Sequence, residues 1–273
     1  MLKYKTIWIS DVHLGSKGCS ATELLSFLKN TKSENLYLVG DIIDMWQLSK
    51  RWYWPKLHNE IVRSVLKKSR QGTNVIYIPG NHDETIRDFL PLMLGDIKVE
   101  YESEYTAING KKYLITHGDL YDVITRYHRW IAKLGDAGYN FLISLNGYFN
   151  WFRRKFKMGY WSLSKYVKTK VKNAVAFIGD YEESLAEASN MRNYDGIISG
   201  HIHHAEMRLI NHVEYFNTGD WVESKTALAE KFDGTFVLLE WRDNCLVETS
   251  SWGISDESPN HYQTPIVLFE DKL

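Results

Sequence analysis

Residues 75–86 read "VIYIPGNHDETI", and the succession of residue types in this stretch organises the whole chain. Val75, Ile76, Tyr77 and Ile78 are the apolar, mostly β-branched close of a strand. Pro79 and Gly80 end it, one by fixing φ and the other by allowing unusual values, and Asn81, His82 and Asp83 then follow in a row. Alone, this is a competent turn, because Pro, Gly, Asn and Asp are all turn formers. What it means depends on whether the chain repeats the arrangement.

The arrangement recurs four times. "TIWIS" (6–10) leads into Asp11 and His13, and "LYLV" (36–39) into Gly40, Asp41 and Asp44. "KYLIT" (112–116) leads into His117, Gly118 and Asp119, and "YDGIIS" (194–199) into Gly200, His201 and His203. Helical periodicity in "TELLSFLKN" (22–30) and "NEIVRSVLKKSR" (59–70) separates the first three strands, a βαβαβ pattern that predicts a parallel sheet. The polar clusters then collect where strands meet their loops, the edge at which open α/β sheets bind ligands. Further on, "AEMRLI" (205–210), "HVEYFNTG" (212–219), "TFVLLEW" (235–241) and "CLVETSS" (245–251) follow one another across short turns and predict antiparallel strands of a second sheet. The expected fold is an α/β two-sheet sandwich.

Composition is compatible with one such core. The chain has 273 residues, 44% hydrophobic, with ten Trp and a formal net charge of -1, so any charge signal must be local. Cys19 and Cys245 stand far apart in no metal or redox spacing, which fits a reducing compartment. The opening "MLKYKTIWISD" lacks the apolar core of a signal peptide, and "YNFLISLNGYFNWF" (139–152), the most apolar run, is too short to span a bilayer. A cytoplasmic protein is expected.

The five clusters together supply two Asp, one Asn and four His as candidate ligands: Asp11, His13, Asp41, Asn81, His117, His201 and His203. Mixed oxygen and imidazole donors without thiolate point to Mn²⁺, Fe or Zn²⁺ in a catalytic site and away from structural zinc. Seven donors exceed what one catalytic zinc needs and suit a pair of ions sharing a carboxylate. In Asp11-X-His13 and His201-X-His203 the two side chains are two residues apart, so an extended segment directs both to one face.

This ordered set, DxH, GDxxD, GNHD, H and GHxH, resembles the calcineurin-like metallophosphoesterase family from residue 7 to about 220. The resemblance implies a four-layer αββα sandwich with an inserted helical cap, residues 1–119 and 193–273 forming the core and 120–192 the cap. It further implies that Asp11, His13, Asp41 and His203 hold one ion and that Asp41, Asn81, His117 and His201 hold the other, with Asp41 bridging and Mn²⁺ the first choice of metal. Two divalent ions against two ligand carboxylates and one hydroxide leave about one positive charge for a phosphate ester, and the hydroxide is the implied nucleophile. Asn81 would stabilise the phosphoryl oxygens, and His82, off the metals, would protonate the leaving group. Asp44 has two readings, orienting a ligand His or capping the next helix.

Between the His117 and His201 clusters the sheet pattern lapses. Residues 121–175 carry eleven Lys or Arg against two Asp, interleaved with thirteen Phe, Tyr or Trp, and Lys165, Lys168 and Lys172 share one helical face. Three occupants compete for such a cap: an acyl chain bearing a phosphate, an anionic membrane surface, and single-stranded nucleic acid, the last disfavoured by the admixture of Leu, Ile and Val. A cap whose aromatics form only its own core is the plain alternative. "GDIIDMW" (40–46) together with an insert here resembles the UDP-2,3-diacylglucosamine pyrophosphatase branch of the family, which acts in lipid A synthesis at the inner membrane face. That branch carries Arg after its motif Asn, where this chain has His82. The resemblance implies that Asn81 and His82 flank the scissile phosphate, that Asp122 meets the sugar and that Trp46 lines the groove. Alternatives are a general phosphodiesterase or nucleotide pyrophosphatase, and a non-catalytic scaffold of the same fold; no obligate protein partner is expected.

Overall fold

The computed structural model describes residues 1–121, 178–179, 181–253 and 258–268. In chain order the elements before residue 122 are β1 (Leu2–Ile9), α1 (Ala21–Asn30), β2 (Thr31–Val39), α2 (Met45–Lys50), α3 (Lys56–Arg70), β3 (Asn74–Ile78), β4 (Leu92–Leu94), β5 (Ile97–Val99), β6 (Ser103–Thr106) and β7 (Lys112–Ile115). Those after residue 192 are β8 (Gly196–Ser199), β9 (Glu206–Ile210), β10 (Val213–Asn217), β11 (Thr226–Glu230), β12 (Phe236–Arg242), β13 (Cys245–Trp252) and β14 (Asn260–Leu268). They form a nine-stranded sheet, β14-β13-β12-β11-β1-β2-β3-β5-β4, and a five-stranded sheet, β6-β7-β8-β10-β9.

The chain divides into two units, Met1–Asp119 with Glu183–Leu273, and Leu120–Glu182. The two-sheet unit is the first of these. Most of the residues expected to form the cap lie outside the described residues. Among the described residues no helix is long and apolar enough to cross a membrane.

Strict alternation explains why the parallel strands read as continuous apolar runs. In β1, β2 and β3 the residues Ile7, Ile9, Leu36, Leu38, Val75 and Tyr77 pack in one core cluster with the apolar faces of α1 and α3. Their neighbours Trp8, Tyr37, Val39, Ile76 and Ile78 pack in a second cluster with Tyr113, Ile115, Ile198 and Phe216 of the five-stranded sheet. Both faces of these strands are therefore covered, the condition under which parallel strands lose visible polar alternation. In α1, Leu24, Leu25, Phe27 and Leu28 are buried, and in α3 the stripe His58, Ile61 and Val65 is buried at helical spacing.

The second sheet departs from the sequence reading. "AEMRLI" and "HVEYFNTG" pair antiparallel as β9 and β10 in the smaller sheet as expected, but β12 and β13 extend the larger one. The reason is β11, which pairs antiparallel with β1 through Thr6↔Glu230, Ile7↔Ala229 and Trp8↔Leu228 and so seals the open edge of β1. The strands after it follow by hairpin pairing on the same side.

Candidate metal centre

The loops leaving β1 and β2 stay paired beyond the strands. Asp11 N donates to Gly40 O at 3.0 Å, His13 N to Asp41 O at 2.9 Å, Leu14 N to Ile42 O at 2.9 Å and Asp44 N to Leu14 O at 2.8 Å. Both loops therefore present side chains at one level above the sheet. Asp11, His13, Asp41, His201 and His203 have φ of 51°, 54°, 52°, 72° and 56°. Left-handed backbone costs a non-glycine residue roughly 1–2 kcal/mol, and five such residues in loops that follow strands of both sheets are the concentration of strain expected at a functional site.

These turns bring the donors together. One trio is Asp11, His13 and His203, in which His203 Nε2 lies 3.2 Å from Asp11 Oδ1. A second is Asp11, Asp41 and His117, with His117 Nε2 3.5 Å from Asp41 Oδ1. A third is His13, Asp41 and His82, the two imidazole Nε2 atoms each 3.9 Å from Asp41 Oδ2. Asp41 belongs to two of these groups, and the His201 ring centroid is 5.1 Å from that of His117. His117 Nδ1 faces Val39 O at 2.9 Å, which aims Nε2 at the centre.

Four donor atoms of this cluster are buried without a hydrogen-bond partner: Asp11 Oδ1, His13 Nε2, Asn81 Oδ1 and His117 Nε2. Buried polar atoms are almost always satisfied, so these exceptions, three of them on residues that share donor groups, fit a site built for cations. The glycines agree. A Cβ at Gly80 would overlap the Asp41 carboxylate and the His117 ring, and one at Gly40, where φ is 79°, would overlap His117 as well. Both strand ends need glycine because the ligand side chains occupy that space.

The charges are interlocked. Burial pushes the Asp11 and Asp41 carboxyls up, but neighbouring histidines, His203 and His117 for the first and His117, His82 and His13 for the second, hold both below the ordinary carboxylate range. Burial disfavours charge on His117 too, yet Asp41 and then Asp11 lift it to about 10. His13 and His203 are raised against burial in the same way, mainly by Asp44 and Asp11 respectively. Protons on imidazoles thus balance the carboxylates, and divalent ions would displace them.

Asp44 caps the following helix and faces two imidazoles. Its Oδ1 accepts from Gln47 N at 2.9 Å, capping α2, and also lies 3.1 Å from His82 Nδ1, while Oδ2 is 3.6 Å from His13 Nδ1. Trp46 is half-buried and packs on His82 with ring centroids 4.1 Å apart. Asp122 lies outside the described residues.

Two ties between the loops escape sequence reasoning. Asp83, read there as a turn former, is fully buried, and its Oδ2 accepts from Ile42 N at 2.8 Å and Ile43 N at 3.2 Å as well as from Tyr77. It fastens the β3 loop to the β2 loop. Arg87 holds Asp119 with two parallel bonds of 2.8 and 2.7 Å and Pro79 O with bonds of 3.2 and 2.6 Å, joining the β3 loop to the β7 loop. The only signal for Asp83 was its place in the tetrad; Arg87, inside "ETIRDF", gave none.

A family model described as calcineurin-like phosphoesterase matches residues 4–205. This chain belongs to the calcineurin-like phosphoesterase family. Curated relatives are named UDP-2,3-diacylglucosamine hydrolase. That of Porphyromonas gingivalis is 27% identical over 125 residues, 43% of this chain and 47% of its own length. That of Neisseria gonorrhoeae is 32% identical over 117 residues, 41% and 47%. That of Wigglesworthia glossinidia brevipalpis is 24% identical over 229 residues, 82% and 89%. In the first two matches the chain spans about half the relative's length. Among solved structures, vacuolar protein sorting 29 from Cryptosporidium parvum aligns over 96% of either chain at 12% identity with a TM-score of 0.42, too loose a likeness to bear on function.

Proposed function

We propose that this calcineurin-like phosphoesterase hydrolyses a phosphodiester or pyrophosphate bond at two divalent ions held by Asp11, His13, Asp41, Asn81, His117, His201 and His203. The observation that carries the reading is that donor atoms of Asp11, His13, Asp41, His117 and His203 gather in groups sharing Asp11, with Asp11 Oδ1, His13 Nε2 and His117 Nε2 buried and making no hydrogen bond. Divalent ions bound there would polarise the phosphoryl group and lower the pKa of a coordinated water. Asp41 would be the carboxylate shared by the two ions, as the family resemblance implies; it lies in donor groups with His117 and Asp11 and with His13. Mn²⁺ is the first choice, with Fe and Zn²⁺ compatible with the same donors.

The remaining steps fall to side chains. Asn81 would hold a cation through Oδ1, leaving its amide N–H to meet a phosphoryl oxygen. His82 donates the Nε2 proton to the departing oxygen, and Asp44, 3.1 Å from Nδ1, holds the ring in orientation and stays charged. Asp44 is suited to that, since despite burial His13 and His82 keep its carboxyl far below the usual range. Trp46 packs on the His82 ring and would border the substrate groove.

For the substrate, the names of the relatives and the cationic, aromatic residues 121–175 favour a lipid-linked nucleotide sugar such as UDP-2,3-diacylglucosamine. In that reading residues 120–192 form a helical cap over the acyl chains, Asp122 meets the sugar, and the protein works in the cytoplasm at the inner face of the membrane. Phosphorus NMR of the Mn²⁺-loaded protein with UDP-2,3-diacylglucosamine, a bis-aryl phosphodiester and a simple UDP-sugar tests it. Release of UMP from the lipid-linked substrate alone is the expected result. His82 in place of the branch's Arg favours a second reading, a general phosphodiesterase or nucleotide pyrophosphatase. Turnover of the aryl diester or the UDP-sugar without the lipid substrate would establish that one, and no turnover of any would leave a binding scaffold.

A further inference from the structure

A cleft of about 690 Å³ opens at the opposite end of the nine-stranded sheet, where β2 begins. Asp41 follows the far end of that nine-residue strand, so the cleft lies roughly 30 Å from the metal centre at about 3.3 Å per residue. Its described lining includes five cations, Lys29, Lys32, Arg63, Lys67 and Lys68, and a single carboxylate, Glu60. Glu60 is already engaged by Arg63 at 2.9 Å. Among the described residues no carboxylate pairs with any of the four lysines.

Helix ends explain part of this charge. Lys29 closes α1, and Lys67 and Lys68 lie in the last turn of α3, where cations offset the macrodipole. Lys32 in β2 and Arg63 in the middle of α3 have no such reason to be there. Lys68 is also unlike a surface lysine: its ammonium donates to Thr31 O at 2.5 Å, which pins it inside the cleft. Burial, and then the charge of Lys32, bring it down to about 8. Among the described residues Glu60, already engaged by Arg63, is the cleft's one counter-charge, and the remaining excess of positive charge suits an anion from solution.

We propose that this cleft is a second binding site, separate from the metal centre, for an oxyanion of the phosphate class, with Lys68 at its floor and Lys32, Lys67 and Arg63 around it. Free phosphate and a phospholipid headgroup share that chemistry. The test is acetylation of Lys68 by limiting acetic anhydride at pH 8 on the metal-loaded protein, read by mass spectrometry against exposed Lys3. It is run with inorganic phosphate, with phosphatidylglycerol vesicles, and with phosphatidylcholine vesicles, each against sodium chloride at matched ionic strength. Inorganic phosphate at ten times its dissociation constant is expected to slow Lys68 roughly tenfold and leave Lys3 unchanged, by simple occupancy. Protection by phosphatidylglycerol vesicles alone would instead identify a lipid headgroup as the source of the same chemistry. In a Lys32→Glu, Arg63→Glu variant either protection should vanish. Absence of protection by both anions, or protection that survives in the variant, would overturn the site.

Discussion

His82 is the residue whose role separates most cleanly from its neighbours. It sits between Asp44 and the Trp46 ring and 3.9 Å from Asp41, close enough to the ligands to be mistaken for one. If it is the proton donor, His82→Ala keeps both ions and lowers kcat on an alkyl phosphodiester by about 10²–10⁴, while an activated aryl diester is affected much less. Metal analysis beside kinetics on the two substrates checks this. Equal loss on both would remove His82 from the acid role. Asp41→Ala should behave oppositely, losing at least one ion per chain because the proposed arrangement has both ions share this carboxylate; unchanged stoichiometry by elemental analysis would sink the bridging assignment. At this scale the sequence was legible for donors that punctuate a strand end, since residue type and spacing carry the chemistry. It was silent on Arg87, whose partners Pro79 and Asp119 follow strands of different sheets and meet only when the two sheets pack.

Among elements, the first three strands and the helices α1 and α3 could be read because apolar period and turn residues coincide in them. The place of β12 and β13 could not. A strand's own pattern reports how much of it is buried, whereas its sheet is chosen by which edge stands open, and here that edge belongs to β1, more than two hundred residues earlier. Buried carboxylates then join the two sheets. Glu214 of β10 accepts from Trp252 Nε1 of β13 at 3.1 Å, from Lys111 Nζ at 2.6 Å and from the Tyr113 hydroxyl of β7. Glu230 of β11 accepts from the Tyr105 hydroxyl of β6. Glu214→Ala leaves several buried donors unpaired and is expected to cost about 3–5 kcal/mol. Urea unfolding should show a lower midpoint at unchanged slope, with metal stoichiometry intact; a loss below about 1 kcal/mol would mean that apolar packing alone holds the sheets together.

For the whole molecule, the metal centre makes stability depend on pH in a way that the metal should reverse. His117 is lifted to about 10, and His13 and His203 are raised as well, against an unfolded value near 6.5. Raised histidines stabilise the metal-free fold fully below pH 6.5, where folded and unfolded chains are both protonated. Above it the unfolded chain sheds protons that the folded chain retains, so their contribution declines toward the folded value. Asp11 and Asp41 act in a separate window: their lowered carboxyls stabilise above about pH 4, and that contribution is lost on acidification. Divalent ions need neutral imidazoles, so binding tightens over the same range in which the metal-free protein weakens. The melting temperature of the EDTA-treated protein is therefore expected to fall by several degrees from pH 6.5 to 8.5, while that of the Mn²⁺-loaded protein holds or rises. Lys68, brought down to about 8, titrates in this window with the opposite sign, but it is remote from the centre and common to both samples, so the difference between the two curves cancels it. Calorimetry at four or five pH values measures that difference directly. A gap that stays constant would mean that His13, His117 and His203 do not carry the protons that the ions displace.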